Sequence, residues 1–257
     1  VSAPIVSPLR LRAYRLKRST IRTVAATEDR AKRRWRQLEG RIGREPTFVV
    51  VGTGRCGTNF VASTLAGAGV PCGHEELFTT DGPRRAVPSR GDVSWLAAPY
   101  LDGLDVPTFH LVREPLAVIN SFLAIGFFRF DPARGFGEDG HAPYRRFAAR
   151  WFDFTGDERH DAVNWYLTWN TLSERATDGR LHIEQPEQAV LRIVERVSPE
   201  KLDFVTDFLR VPPPATNTMT ELKQQIANPT SLTRDGLLDL PRGDEVVAMA
   251  SRYGYQL

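Results

Sequence analysis

The segment that most constrains this chain lies at residues 47–59. Thr-Phe-Val-Val-Val at 47–51 is a β-branched run that reads as a strand buried on both faces. The turn Gly52-Thr-Gly-Arg-Cys-Gly-Thr-Asn59 follows it directly. Phe60, Val61, Leu65 and Ala66 then recur at helical spacing until Gly67 and Gly69 stop the helix. The order is strand, glycine loop, helix.

The pattern repeats downstream with different punctuation. A second strand is expected at 108–112, and Pro115 suits the first turn of a helix carrying Val118, Ile119, Phe122 and Leu123. Residues 126–156 mix glycines with Phe127, Phe128, Phe130, Phe136, Trp151, Phe152 and Phe154. That irregular excursion suits an acceptor pocket and a buried filler equally. Ala162, Trp165, Tyr166, Trp169 and Leu172 mark an amphipathic helix, a short strand is expected at 181–183, and helices are expected at 186–197, 199–209 and 244–253. Strands alternating with helices predict an α/β domain over 46–257: three layers, a mostly parallel sheet with helices on both faces, P-loop NTPase-like.

Charge separates the first 45 residues from the rest. They carry a net +9 and the remainder −6, so a basic helical arm at 1–45 accounts for the alkaline balance. Its stretch 10–41 reads either as peripheral contact with an anionic membrane surface or as a solvated helix packed on the domain. Lys and Arg surround the whole helix rather than one face, which favours the second. With few interleaved aromatics, nucleic-acid binding is not expected. No run approaches the ~20 apolar residues of a spanning helix. Two cysteines outside any CxxC pair predict a reducing, cytoplasmic setting, and five scattered histidines without HExxH predict no built-in metal.

The glycine loop has two readings. Gly52, Gly54 and Gly57 spell GxGxxG, the opening of a dinucleotide fold, with Glu75 and Glu76 near the distance of the ribose acid. However, 71–74 does not read as the end of a second strand. The same loop nearly matches a phosphate-binding P-loop, but Thr58 stands where a triphosphatase has Lys and Asn59 where it has the Mg²⁺-binding hydroxyl. Arg55 supplies a cation within the loop. The expected ligand is therefore a phosphorylated one bound by backbone N–H groups and a helix N-terminus, with no metal expected. Arg113 at the end of the second strand, with Ser121 eight residues later, places a guanidinium and a hydroxyl where they can share an anion.

Strand-Gly-x-Gly-Arg-Cys-Gly-Thr followed by Arg-Glu-Pro and Ser121 resembles the bacterial-type PAPS-dependent sulfotransferases, over roughly 46–257. The resemblance implies that Gly54, Arg55, Cys56, Gly57, Thr58 and Asn59 hold the 5′-phosphosulfate and that Arg113 and Ser121 hold the 3′-phosphate. PAPS would be the co-substrate, released as PAP. Trp169-Asn170, 181–184, Asn217, 237–240 and Tyr253-Gly-Tyr255 look like later landmarks. Cys56 stands where Ser is more usual, and no Arg-Lys-Gly loop is present, which leaves Lys223 or Arg234 as further 3′-phosphate partners.

The implied reaction moves a sulfuryl group to an acceptor hydroxyl on a carbohydrate, glycolipid or small metabolite. Arg55 would stabilise charge on the departing phosphate, and a base must accept the hydroxyl proton. His74-Glu-Glu76 lies where the chain should return to the sheet's carboxyl edge. Glu75 is the first candidate for the base, with Glu76 and His74 as alternatives. Two rivals stand beside this: a dinucleotide-dependent oxidoreductase, and a non-catalytic nucleotide- or anion-binding module.

Overall fold

A computed structural model describes residues 46–84, 90–210 and 231–257. The basic arm, Asn217 and Lys223 lie outside the described residues. The elements run β1 (Val49–Gly52), α1 (Thr58–Gly67), β2 (Cys72–His74), a hairpin of β3 (Phe78–Thr79) and β4 (Gly82–Pro83), and β5 (Gly91–Val93). A 3₁₀ turn (Trp95–Tyr100), β6 (Thr108–Val112), α2 (Pro115–Ala124), α3 (Ala142–Ala148), α4 (Glu158–Ser173) and β7 (Arg180–His182) follow. The chain continues through α5 (Pro186–Val197), α6 (Leu202–Leu209), α7 (Arg234–Leu238) and α8 (Gly243–Arg252).

Five strands form one sheet in the order β2-β5-β1-β6-β7, every pair parallel. β1 is central and wholly buried, as its valine run requires. One face is covered by α1, α5 and α6, the other by the 3₁₀ turn, α2, α4 and α8. This is the expected three-layer α/β architecture. β5 separates β1 from β2, so the strand order is not the Rossmann order, in which the second strand lies beside the first.

Two strands were not legible. The stretch around 71–74, which by sequence does not read as a strand end, is β2 at the sheet edge, and β5 pairs between it and β1. Each has only three residues, too few for periodicity to show. β5 also carries Asp92, which is fully buried. Its carboxylate accepts the backbone N–H groups of Glu76 (3.2 Å), Leu77 (3.3 Å) and Phe78 (3.2 Å). Burial pushes the Asp92 carboxyl up, and those three donors oppose it.

The aromatic excursion is core. Phe127, Phe128, Phe147, Phe152 and Phe154 are all buried, while Phe130, Phe136 and Trp151 pack against them from the rim. They close around Arg145, whose side chain is fully buried. Its guanidinium donates to the carbonyls of Phe127 (2.6 Å), Phe136 (3.0 Å) and Gly126 (3.3 Å) and pairs with Asp139. An irregular loop has many unpaired carbonyls, and one five-donor side chain satisfies three of them. Trp165 and Trp169, one turn apart on α4, stack at 4.3 Å beneath this layer.

Replacing Asp92 with alanine orphans three N–H groups inside the fold. Asp92→Ala should lose ~3 kcal/mol or more of unfolding free energy in urea titrations, and Asp92→Asn, which keeps an acceptor oxygen, distinctly less. A loss below ~1 kcal/mol for the alanine variant would contradict this structural role.

Candidate active site

Parallel strands bring all five carboxyl ends to one edge, where open α/β sheets bind ligands. That edge collects the loop after β1, Glu75 after β2, Trp95 after β5, Arg113 after β6 and Ile183 after β7. Residues spread over 130 positions of sequence thereby meet in one place.

The loop at 52–57 is shaped by steric necessity. Gly57 has φ 99°, and a Cβ there would come within 2.5 Å of Ile183. At Gly54 a Cβ would come within 2.8 Å of the Phe122 ring. Both positions need glycine for close approach rather than for flexibility. Gly57 at the N-cap of α1 brings no side-chain oxygen to the first turn, and the Cys56 sulfur accepts from the Thr58 N–H there. An anion is the natural partner for such an end.

The two sequence motifs are in direct contact. Arg55 Nε donates to Ser121 Oγ at 3.0 Å, and Arg113 Nη1 donates to the Arg55 carbonyl at 3.0 Å. Burial, and next to it the positive charge of Arg113, push the Arg55 guanidinium below its ordinary value. The two part-buried guanidiniums repel each other, and an anion seated beside both would relieve that repulsion. Arg55 holds a left-handed backbone (φ 68°), uncommon for a side chain of this size. Its guanidinium reaches toward Ser121 on α2, away from the α1 terminus that follows its own loop.

The remaining loop residues divide by role. Cys56 is buried beneath the loop, its N–H donates to the Thr53 carbonyl at 3.3 Å, and its thiol is pushed up to about 12 by burial. It shapes the turn and presents no side chain to the cleft. Thr58 is buried with its Oγ1 3.0 Å from His74 Nε2, and Asn59 is half-buried on the first turn of α1. Arg234 is exposed, two residues beyond Leu232, whose backbone pairs with the Asn120 side chain of α2.

The three candidate bases have separate fates. Glu76 forms a two-pronged ion pair with Arg90, at 2.9 and 3.0 Å, on the outer side of β2. His74 is pushed down by burial, so it is neutral at pH 7 and sits 3.6 Å from Glu75 Oε1 as an uncharged ring. Glu75 lines a cleft of about 420 Å³ together with His74, Thr79, Thr80, Arg84 and Tyr144. Burial raises its carboxyl to about 7, with Asp92 adding to the rise and a hydrogen bond from the Trp95 side chain opposing it. Glu75 also holds a left-handed backbone (φ 56°). A strained, half-desolvated carboxyl with a raised pKa can accept or hold a proton near neutral pH.

Several positioning groups gave no sequence signal. Trp95 packs on Trp165 and Trp169, both at 5.2 Å, and on Phe147 at 5.7 Å, which fixes its indole against Glu75. The Arg113 turn is held by Glu184, which accepts from the Glu114 N–H (2.9 Å) and the Tyr255 hydroxyl (2.7 Å). Glu114 in turn caps α2 by accepting from the N–H groups of Leu116 (3.0 Å) and Ala117 (2.6 Å). Of these, only the start of α2 at Pro115 was readable from the sequence. The rest depends on packing across strands.

The Glu75 carboxyl has a consequence for stability. Its folded-state value, about 7, lies above the ordinary 4.5, so the unfolded chain ionises first. Its cost to folding is absent at low pH, grows as pH rises from 4.5 to about 7, and is complete above that. Glu75→Gln should therefore be more stable than the parent by roughly 1–3 kcal/mol at pH 8, with the two converging at pH 4. Equal urea midpoints at both pH values would show that Glu75 is solvated. Comparison of the chain with protein-family models, with curated proteins and with solved structures finds no match, so a functional reading of this site rests on its own residues.

Proposed function

We propose that the chain is a sulfotransferase that moves a sulfuryl group from PAPS to an acceptor hydroxyl. The observation that carries this reading is the contact of Arg55, Ser121 and Arg113 on one side of the sheet edge, with the buried Glu75 on the other. The first cluster suits one phosphate group of a nucleotide, and the glycine loop and α1 N-terminus beside it suit a second. The second suits removal of a proton from a hydroxyl.

In this reading the N–H groups of α1 and the loop receive the 5′-phosphosulfate, and Arg113 with Ser121 receives the 3′-phosphate. The acceptor oxygen forms a bond to sulfur as the bond between sulfur and the 5′-phosphate oxygen breaks. Such a loose, in-line transfer needs positioning and charge stabilisation above all. Charge that grows on the departing phosphate falls on the α1 terminus and the loop cation. Glu75, ionised, takes the hydroxyl proton, and PAP departs. Thr58 and Asn59, in place of the Lys and metal-binding hydroxyl of a triphosphatase, support transfer without a bridging metal. Two buried free thiols agree with a reducing, cytoplasmic setting. Among the described residues no helix is long and apolar enough to cross a membrane.

The strand order weighs against the oxidoreductase rival, because the acid after β2 is two strands away from the glycine loop. The non-catalytic rival leaves the burial and strain of Glu75 without a purpose.

PAP should bind at submillimolar affinity in calorimetry with EDTA present, and an absolute need for a divalent ion would overturn the reading. Arg113→Ala should weaken PAP by roughly 1.5–3 kcal/mol and adenosine 5′-phosphosulfate, which lacks the 3′-phosphate, much less. Equal losses would mean that Arg113 acts only through the Arg55 carbonyl. With labelled PAPS and an acceptor found by screening, kcat/KM should rise with pH through about 7, as Glu75 ionises. Glu75→Gln should keep PAP affinity and lose ~10²–10⁴-fold in transfer. Full transfer by Glu75→Gln would move the base elsewhere.

A further inference from the structure

The cleft beside Glu75 carries chemistry that proton removal does not use. Its far wall is the β3–β4 hairpin, which forms its own two-stranded sheet outside the main one. From this hairpin and the residue after it come Thr79, Thr80 and Arg84. Thr79 Oγ1 donates to the Gly82 carbonyl at 2.9 Å, so toward the cleft this hydroxyl is an acceptor. Tyr144, half-buried and tilted against Trp95 at 5.9 Å, offers the edge of a ring and a phenol. Its hydroxyl is pushed up by burial and then by Glu75, so it stays protonated and donates.

Arg84 has no carboxylate partner among the described residues, although its backbone is fixed by a hydrogen bond from its N–H to the Leu77 carbonyl at 2.6 Å. Three other arginines of the fold behave otherwise. Arg90 is paired with Glu76, Arg145 with Asp139 and Arg175 with Asp102. The acidic group that shares the cleft with Arg84 is Glu75, whose carboxyl burial raises to about 7 and which makes no ion pair with Arg84. A guanidinium at the mouth of a cleft, without an acid of its own, is a fork for an external oxyanion. The cleft volume, about 420 Å³, falls within the roughly 300–1,000 Å³ of small-molecule sites.

We propose that this cleft takes a polyhydroxylated acceptor bearing an oxyanion, a phosphate or a carboxylate, which Arg84 holds while Thr80 and Tyr144 engage its hydroxyls and Glu75 faces the one to be sulfurylated. The class is that of sugar phosphates and uronic acids rather than neutral sugars or apolar phenols. This rests on the sulfotransferase reading for the direction of transfer, but the anion preference of the cleft is measurable without turnover. Arg84 also offsets the repulsion that an anionic acceptor meets as Glu75 ionises.

The test is calorimetric titration of glucose 6-phosphate, glucuronate and glucose into the full chain, first alone and then with the nucleotide loop saturated by PAP. PAP keeps the sugar phosphate out of the loop. Both anions should bind at least ten times more tightly than glucose. Arg84→Gln should bring all three within twofold of one another, and Arg84→Lys should retain part of the preference. Arg84 is exposed, so these variants should keep the parental urea midpoint. Preference of one anion over the other would tell phosphate from carboxylate. Equal binding of glucose and the anions, a preference that survives Arg84→Gln, or no binding by any of the three overturns the proposal. Failure of PAP to bind, with the anion preference intact and lost in Arg84→Gln, would instead overturn the sulfotransferase reading and leave the oxyanion cleft standing.

Discussion

The buried carboxylate of Asp92 is the constraint on which the Glu75 side of the sheet edge depends. It lies in a three-residue strand where an apolar side chain would be expected, and it gathers three successive N–H groups from the turn after β2. A buried carboxylate is costly unless its acceptor capacity is used. Here it is used on backbone, so the turn cannot relax without exposing an anion to apolar surroundings. That turn fixes the left-handed backbone of Glu75 and the departure of the hairpin. The same carboxylate adds to the upward push on Glu75. One group therefore sets both the place and the proton affinity of its neighbour.

The donor side is held differently. Its loop is confined by packing: Gly57 against Ile183, Gly54 against Phe122, and Cys56 folded beneath. Its charges are arranged by the turn after β6, which Glu184 and Tyr255 brace from β7 and the chain terminus. Close packing transmits any shift directly, so this half is a rigid cradle. Electrostatic stabilisation of a departing phosphate benefits from donors that need no rearrangement at the moment of transfer.

The sequence made the central half of the fold legible and the edge illegible, for physical reasons. β1 and β6 are runs of β-branched and aromatic residues between helices with clear starts, and Pro115 announces α2. β2 and β5 are short and contain glycine and aspartate, so neither propensity nor alternation marks them. For the site, the spacing of Arg113 and Ser121 implied a shared anion, whereas Arg55, expected at the other end of the ligand, is the residue whose guanidinium meets Ser121. His-Glu-Glu at 74–76 could not reveal which carboxylate turns inward. Arg90, fourteen residues away, takes Glu76 and leaves Glu75 to the cleft. The aromatic stretch was ambiguous because burial of a phenylalanine depends on what it surrounds, here the Arg145 guanidinium.

The hairpin of β3 and β4 makes no strand pairing with the main sheet. It hangs from Asp92 and from the packing of Phe78 on Tyr100 at 6.2 Å. Its tip residues are thus free of the demands that hold the donor loop, where almost any added atom meets a neighbour. On the sulfotransferase reading, a lineage built on this scaffold would rewrite its choice of acceptor in a handful of hairpin codons while leaving the glycine loop untouched. Diversification in such a lineage would accumulate at Thr79, Thr80 and Arg84, with Asp92 as the hinge pin that every version must keep.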